Sequence, residues 1–166
     1  MKSKKVLIVI VAALCFAIAG ALAGCGSETV SDSSSSSSDS ASANRSYMSS
    51  ANTIIEELQD NLNDFSDAVA EDDLVSMKAA MKKADKSIAK FEKLQPPDDL
   101  KSVHEEYTKG CDELKEALSE YVDLYSDQQK SKLSDSEYGK RLKSIQKKYN
   151  SGIKHLKAGD EKVTSL

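Results

Sequence analysis

The sequence predicts an all-α protein, an antiparallel helical bundle of three to four long helices. Three observations carry that expectation. Apolar residues recur at alternating steps of three and four in four separate segments, the period of a helix that buries one stripe against its neighbours. Short polar or proline-bearing breaks divide the segments, at Ala70-Glu71-Asp72-Asp73, at Pro96-Pro97 and at Lys132-Leu133-Ser134-Asp135. The chain has no Trp and three Phe among 166 residues, so its core must rest on Leu, Ile, Val, Ala, Met and Tyr. The bundle is expected over residues 45–158, with a frayed C-terminus at 159–166.

Before the bundle lie two segments of other composition. Lys2, Lys4 and Lys5 form a basic tip, and Val6 to Ala23 carry no charge. A basic tip, an apolar run and a small-residue end describe a secretory signal peptide, here residues 1–24. The apolar run is long enough that a retained membrane helix must be weighed. The small residues Ala21, Ala23, Gly24 and Gly26 favour cleavage, because a peptidase needs a narrow, extended substrate. Cys15 lies inside the apolar run and is expected to leave with it.

The run Leu22-Ala23-Gly24-Cys25 resembles the lipobox of bacterial lipoproteins. The resemblance implies a signal peptide cleaved before Cys25, diacylglycerol on the Cys25 thiol, and in many such proteins a further acyl chain, such as palmitate, on the new amino terminus. One acyl chain anchors weakly and reversibly, whereas two or more hold firmly. Cys25 is therefore the expected lipidation site, and the expected address is the extracytoplasmic face of the cell membrane. Residues 25–44, rich in serine, read as a flexible tether. Residues 27–44 would reach roughly 20–25 Å as a random coil.

Loss of residues 1–24 leaves 142 of the 166 residues, and the net charge of −4 becomes −7 once Lys2, Lys4 and Lys5 are gone. An acidic surface disfavours nucleic-acid binding and lying flat on anionic lipid.

The first helix is expected over about 45–70. Its stripe is Met48, Ala51, Ile55, Leu58, Leu62, Phe65 and Val69, and Asn44 or Ser46 is the candidate N-cap. The second runs over about 73–94 through Leu74, Met77, Met81, Ala84, Ile88 and Phe91. The step of five from Val69 to Leu74 breaks the phase, so a tight turn with Asp72 or Asp73 as N-cap is expected, a single bent helix being the alternative. Pro96 and Pro97 stop that segment. The third follows with Asp98 as candidate cap and a stripe of Leu100, Val103, Tyr107, Cys111, Leu114, Leu118, Tyr121 and Tyr125. Gly110 inside it would permit a close helix crossing. The fourth starts at a capping box, Ser134 with Glu137, and carries Tyr138, Leu142, Ile145, Tyr149, Ile153 and Leu156 before Gly159, which suits a helix stop.

Charge is unevenly shared. Residues 45–73 hold Arg45 against eight acids, while residues 135–157 hold seven Lys or Arg against Asp135 and Glu137. In an up-down bundle the first and last helices are neighbours, so opposite charge is expected to favour their contact. The alternative use for the fourth-helix lysines is contact with phosphate, teichoic polymers or lipid headgroups.

Catalytic and metal motifs are sparse. His104 and His155 are the two histidines, and neither belongs to HExxH or Glu-x-x-His. His104 reads as a bundle-edge residue and His155 as a surface residue among Lys154 and Lys157. Cys111 is two helical turns from His104, about 10 Å, too far for a nucleophile–base pair, and reads as core. Phosphate-binding glycine loops are absent. The chain is therefore expected not to be an enzyme, with no catalytic, cofactor-binding or metal residues and no cofactor. It is expected to be a membrane-anchored interaction module for an envelope protein or cell-wall component. A ligand-binding or sensory bundle with tyrosines converging on a groove is the alternative; an envelope enzyme or metal binder ranks lower.

The body carries a second resemblance. Leu94-Gln95-Pro96-Pro97-Asp98-Asp99-Leu100-Lys101, followed by His104, Tyr107 and Gly110, is similar to small uncharacterised helical lipoproteins of Gram-positive bacteria. It implies an extracytoplasmic helical domain and brings no catalytic residue.

Overall fold

A computed structural model describes residues 35–165, and Cys25 lies outside them. Four long helices follow one another: α1 Ser35–Ala70, α2 Leu74–Phe91, α3 Lys101–Gln129 and α4 Asp135–Thr164. A short 3-10 turn, Asp98–Leu100, leads into α3. The architecture is the expected all-α bundle.

The α1–α2 break is a turn, not a bend. Asp72 takes φ 58°, the left-handed conformation that short polar side chains tolerate. The Asp73 N–H then bonds back to the Ala68 carbonyl at 2.9 Å. Asp73 is the N-cap of α2, its Oδ1 accepting from the Val75 and Ser76 N–H groups at 2.9 and 3.2 Å. The expected capping box at α4 is also present: the Glu137 N–H donates to Ser134 Oγ at 3.3 Å, and the Ser134 N–H donates to Glu137 Oε2 at 3.0 Å.

Three helix boundaries differ from expectation. α1 begins at Ser35 rather than near 45, so residues 35–44, read as tether, are helical, and Asn44 and Ser46 are interior residues rather than caps. Once a helix is nucleated each further residue adds a backbone hydrogen bond, and serine costs only a fraction of a kcal/mol, about 0.5, against alanine. Asp98 opens the 3-10 turn and pairs with Lys101 at 2.6 Å; α3 itself has no side-chain cap. α4 runs through Gly159 to Thr164, because Gly159 is buried against Tyr107 instead of ending the helix.

Core positions follow the predicted stripes, with informative additions. Tyr47 is buried and Met48 only partly so. On α3, Gly110, Ala117, Val122 and Leu124 are buried beside the predicted stripe. The wider buried arc has a simple cause: α3 packs against α2 on one side and α4 on the other, and it meets α1 through Tyr47–His104 and Phe65–Tyr121.

The expected closure between the first and last helices is not formed. α1 pairs with α2 and α3 with α4, while α1 and α4 share no extended interface. Lys83 reaches Asp64 at 2.9 Å and Lys90 reaches Glu57 at 2.5 Å, so two of the acids of α1 are met by α2. The inward cations of α4 find α3 instead: Arg141 with Asp127 at 2.7 Å, and Lys148 with Glu116 and Glu120 at 2.8 and 2.6 Å. Exposed pairs of this kind are worth about 0–1 kcal/mol, too little to choose a topology against packing.

The packing that wins is a glycine crossing. A Cβ on Gly110 would stand 2.9 Å from the Gly152 carbonyl oxygen, and one on Gly152 would stand 2.9 Å from that of Gly110. The two backbones touch where α3 and α4 cross, the close approach that Gly110 permits, with Gly152 as its counterpart.

Candidate functional site

The densest meeting of polar and aromatic groups joins all four helices at one end of the bundle. α1 runs past the end of α2, since 36 residues span about 54 Å and 18 span about 27 Å. The projecting part places Tyr47 over the first turn of α3. There the Tyr47 hydroxyl lies 2.8 Å from His104 Nδ1. The ring of Phe91, the last residue of α2, stacks on His104 at 5.1 Å and 14° and meets Tyr107 edge-on at 5.8 Å. From α4, Asp160 Oδ1 accepts the Tyr107 hydroxyl proton at 2.6 Å.

Burial lowers the pKa of His104 from its ordinary value, with Glu105 opposing, so the imidazole is neutral near pH 7. Burial pushes the Tyr47 hydroxyl up to about 12, assisted by nearby Cys111. Tyr47 therefore keeps its proton and is assigned as donor, with Nδ1 of His104 as acceptor. The Tyr107 hydroxyl is raised by burial and by its bond to Asp160. Asp160 is raised by burial, with the Tyr107 hydrogen bond working the other way.

Beside this cluster Glu106 holds two partners on α4. His155 Nδ1 is 2.7 Å from its Oε2 and Lys162 Nζ is 2.9 Å from its Oε1. These bonds, His155 first, hold the Glu106 carboxyl down at about 2.

His104 lies at the bundle edge as expected, but as a packed ring. His155 is half-buried and bonded, not a surface residue: its helix face turns toward Glu106 while Lys154 and Lys157 point away to solvent. Cys111 is fully buried, and burial pushes its thiol up to about 12, so it is protonated at neutral pH and a poor nucleophile. The links Glu106–His155 and Tyr107–Asp160 escape sequence reading because they depend on the register between α3 and α4. The pairing of Gly110 with Gly152 supplies that register once a glycine crossing is assumed.

Among the described residues no three His, Cys, Asp or Glu side chains gather to hold a metal ion, and no helix is long and apolar enough to cross a membrane. Five of the six tyrosines separate into two groups. Tyr47 and Tyr107 belong to the cluster above, while Tyr125, within 3.0 Å of the Asp72 carbonyl and carboxylate oxygens, braces the α1–α2 turn at the other end, near Tyr121 and Tyr138. Two open grooves between α1 and α2 are lined mainly by charged residues, among them Glu57, Asp60, Lys83 and Lys86, and by no tyrosine.

Residues 41–156 match the model of a family of unknown function, DUF6376. The protein is a member of DUF6376. The matched stretch takes in α2, α3 and most of α1 and α4, so the DUF6376 unit is the bundle itself, with both glycines of the α3–α4 crossing inside it. Against the curated proteins and the solved structures the chain has no match.

Proposed function

We propose that this DUF6376 member is a lipid-anchored, non-enzymatic module that displays a helical bundle on the extracytoplasmic face of the cell membrane and binds an envelope component there. The carrying observation is Leu22-Ala23-Gly24-Cys25, set between a basic-tipped apolar run and a serine tract. The non-enzymatic part of this reading is supported by how the reactive side chains are spent. His104 is stacked and hydrogen-bonded, His155 is held by Glu106, and the Cys111 thiol is buried.

The test compares wild type with Cys25→Ala in the native host. Wild type should incorporate labelled palmitate, partition into detergent and stay with membranes. The variant should lose all three and appear in the soluble fraction. Equal membrane retention of the two would overturn the anchor. Chemical cross-linking on intact cells then asks whether the anchored form captures a specific component that the released form does not.

A further inference from the structure

The outward face of α4 carries a row of one sign. Lys140, Lys143, Lys147, Asn150, Lys154 and Lys157 follow at steps of three and four, one face of a helix. All six are exposed, and they lie opposite the face that buries Ile145, Tyr149, Gly152 and Leu156 against α3. The row is about 26 Å long at 1.5 Å per residue. Among the described residues none of its lysines is in an ion pair, whereas the inward Arg141, Lys148 and Lys162 are all paired with α3. The acid-rich α1 that could have neutralised the row shares no extended interface with α4 and pairs Asp64 and Glu57 with α2 instead. The exposed Glu161, one step beyond Lys157 on the same face, ends the row. Like charges three and four residues apart weaken a helix slightly, a cost that no ion pair among the described residues offsets.

We propose that this lysine row is a docking ridge for a linear phosphate-bearing polymer of the envelope. The proposal rests on the interaction-module reading and names the chemistry of its partner. Complementarity is the first argument: a single-file row of five cations matches a chain of regularly spaced anions and releases its counterions on binding. Shape is the second. A bilayer is broad, and an anionic one repels the acidic remainder of the molecule. No exposed large apolar side chain accompanies the row to enter a membrane; the exposed one among the described residues is Val75, on α2. A polymer strand can follow the ridge alone. Glu116 and Glu120, which border it on α3, are already held by Lys148.

The experiment uses the full chain in neutral detergent and long-chain inorganic polyphosphate as probe. Wild type should bind, and affinity should fall about a hundredfold between roughly 50 and 200 mM salt, as five contacts to a single-stranded polyanion require. Changing Lys140, Lys143, Lys147, Lys154 and Lys157 together to Gln should weaken binding at least about tenfold at the lower salt and flatten the salt dependence. The same five changed to Arg should retain binding. A control with Lys78, Lys82, Lys86, Lys109 and Lys115 changed to Gln removes the same charge elsewhere and should bind nearly as wild type. Helical content by circular dichroism should be the same in all four proteins, and Lys147→Glu alone provides a minimal variant with the same direction of effect. Failure of wild type to bind, an equal loss in the control, or row-dependent binding to anionic phospholipid vesicles without binding to polyphosphate would each overturn the proposal. Because anchoring plays no part in this assay, failure here leaves the Cys25 reading standing, and failure there leaves this one.

Discussion

His104 is the residue whose surroundings most constrain its chemistry. Tyr47 from α1, Phe91 from α2 and Glu105 on its own helix are the groups set around it. Its folded pKa lies below the unfolded one, so the unfolded chain takes up the proton first. The stability it contributes is complete above about pH 6.5, the ordinary histidine value, and is lost as pH falls through the folded pKa. Melting temperature should therefore start to drop just below pH 6.5, and His104→Gln should flatten that first part of the decline. Glu106 acts lower, its contribution being lost between about 4.5 and about 2. Cys111 supplies a second check: its thiol should resist a disulfide reagent in the native protein and react promptly in denaturant. Rapid native labelling would mean that the centre of α3 is open.

At the scale of the helices, the α3–α4 contact is set by what is missing from its side chains. Gly110→Ala gains up to about 1 kcal/mol of helix propensity but places a methyl 2.9 Å from a backbone oxygen that cannot rotate away. Parting the helices should cost about 1–3 kcal/mol, for a net loss in urea unfolding. Gly139→Ala in the same helix as Gly152 meets nothing within 4 Å and should instead stabilise by up to about 1 kcal/mol. Opposite signs from the same substitution separate close packing from propensity. Ser134→Ala removes the capping box and should cost about 1 kcal/mol.

Across the whole molecule the helices pair with their sequence neighbours. A double-mutant cycle between Asp64 and Lys83 should give a coupling of about 0.2–1 kcal/mol, whereas one between Asp60 and Lys143 should give none. An equal coupling in the second cycle would restore the contact between α1 and α4 that the charge pattern suggests. That pattern misled because opposite charge on two helices names compatible partners without placing them, and the lysines of α2 offered α1 a nearer one. The stripes, the breaks between segments and the Ser134 capping box were legible because each depends on residues within four positions of one another, whereas the expected caps at Asn44 or Ser46 and at Asp98 and the stop at Gly159 are not formed. Tyr47, Ala117 and Leu124 were not, because their burial depends on α1 overrunning α2 and on α3 being flanked on two sides. The site was legible only in its parts. His104 and Tyr107 stand in the sequence as members of one helix, but Tyr47 and Asp160 reach them from 57 and 53 residues away.

By itself the sequence determined the fold class, the apolar stripes of the four segments, the Ser134 cap and the inward place of Cys111, because helical period and capping are local and repeat along the chain, while the choice of Asp73 over Asp72 and of a turn over a bend came from the structure. Tertiary structure decided which helices touch, which histidine is packed and which is bridged, and which cations are left over. Those outcomes follow from packing contacts between distant segments, and the glycine crossing of α3 on α4 outweighs exposed charge pairs that are individually weak. The lysine row of α4 shows the difference: its spacing is written in the sequence, but its lack of an internal partner is a property of the fold.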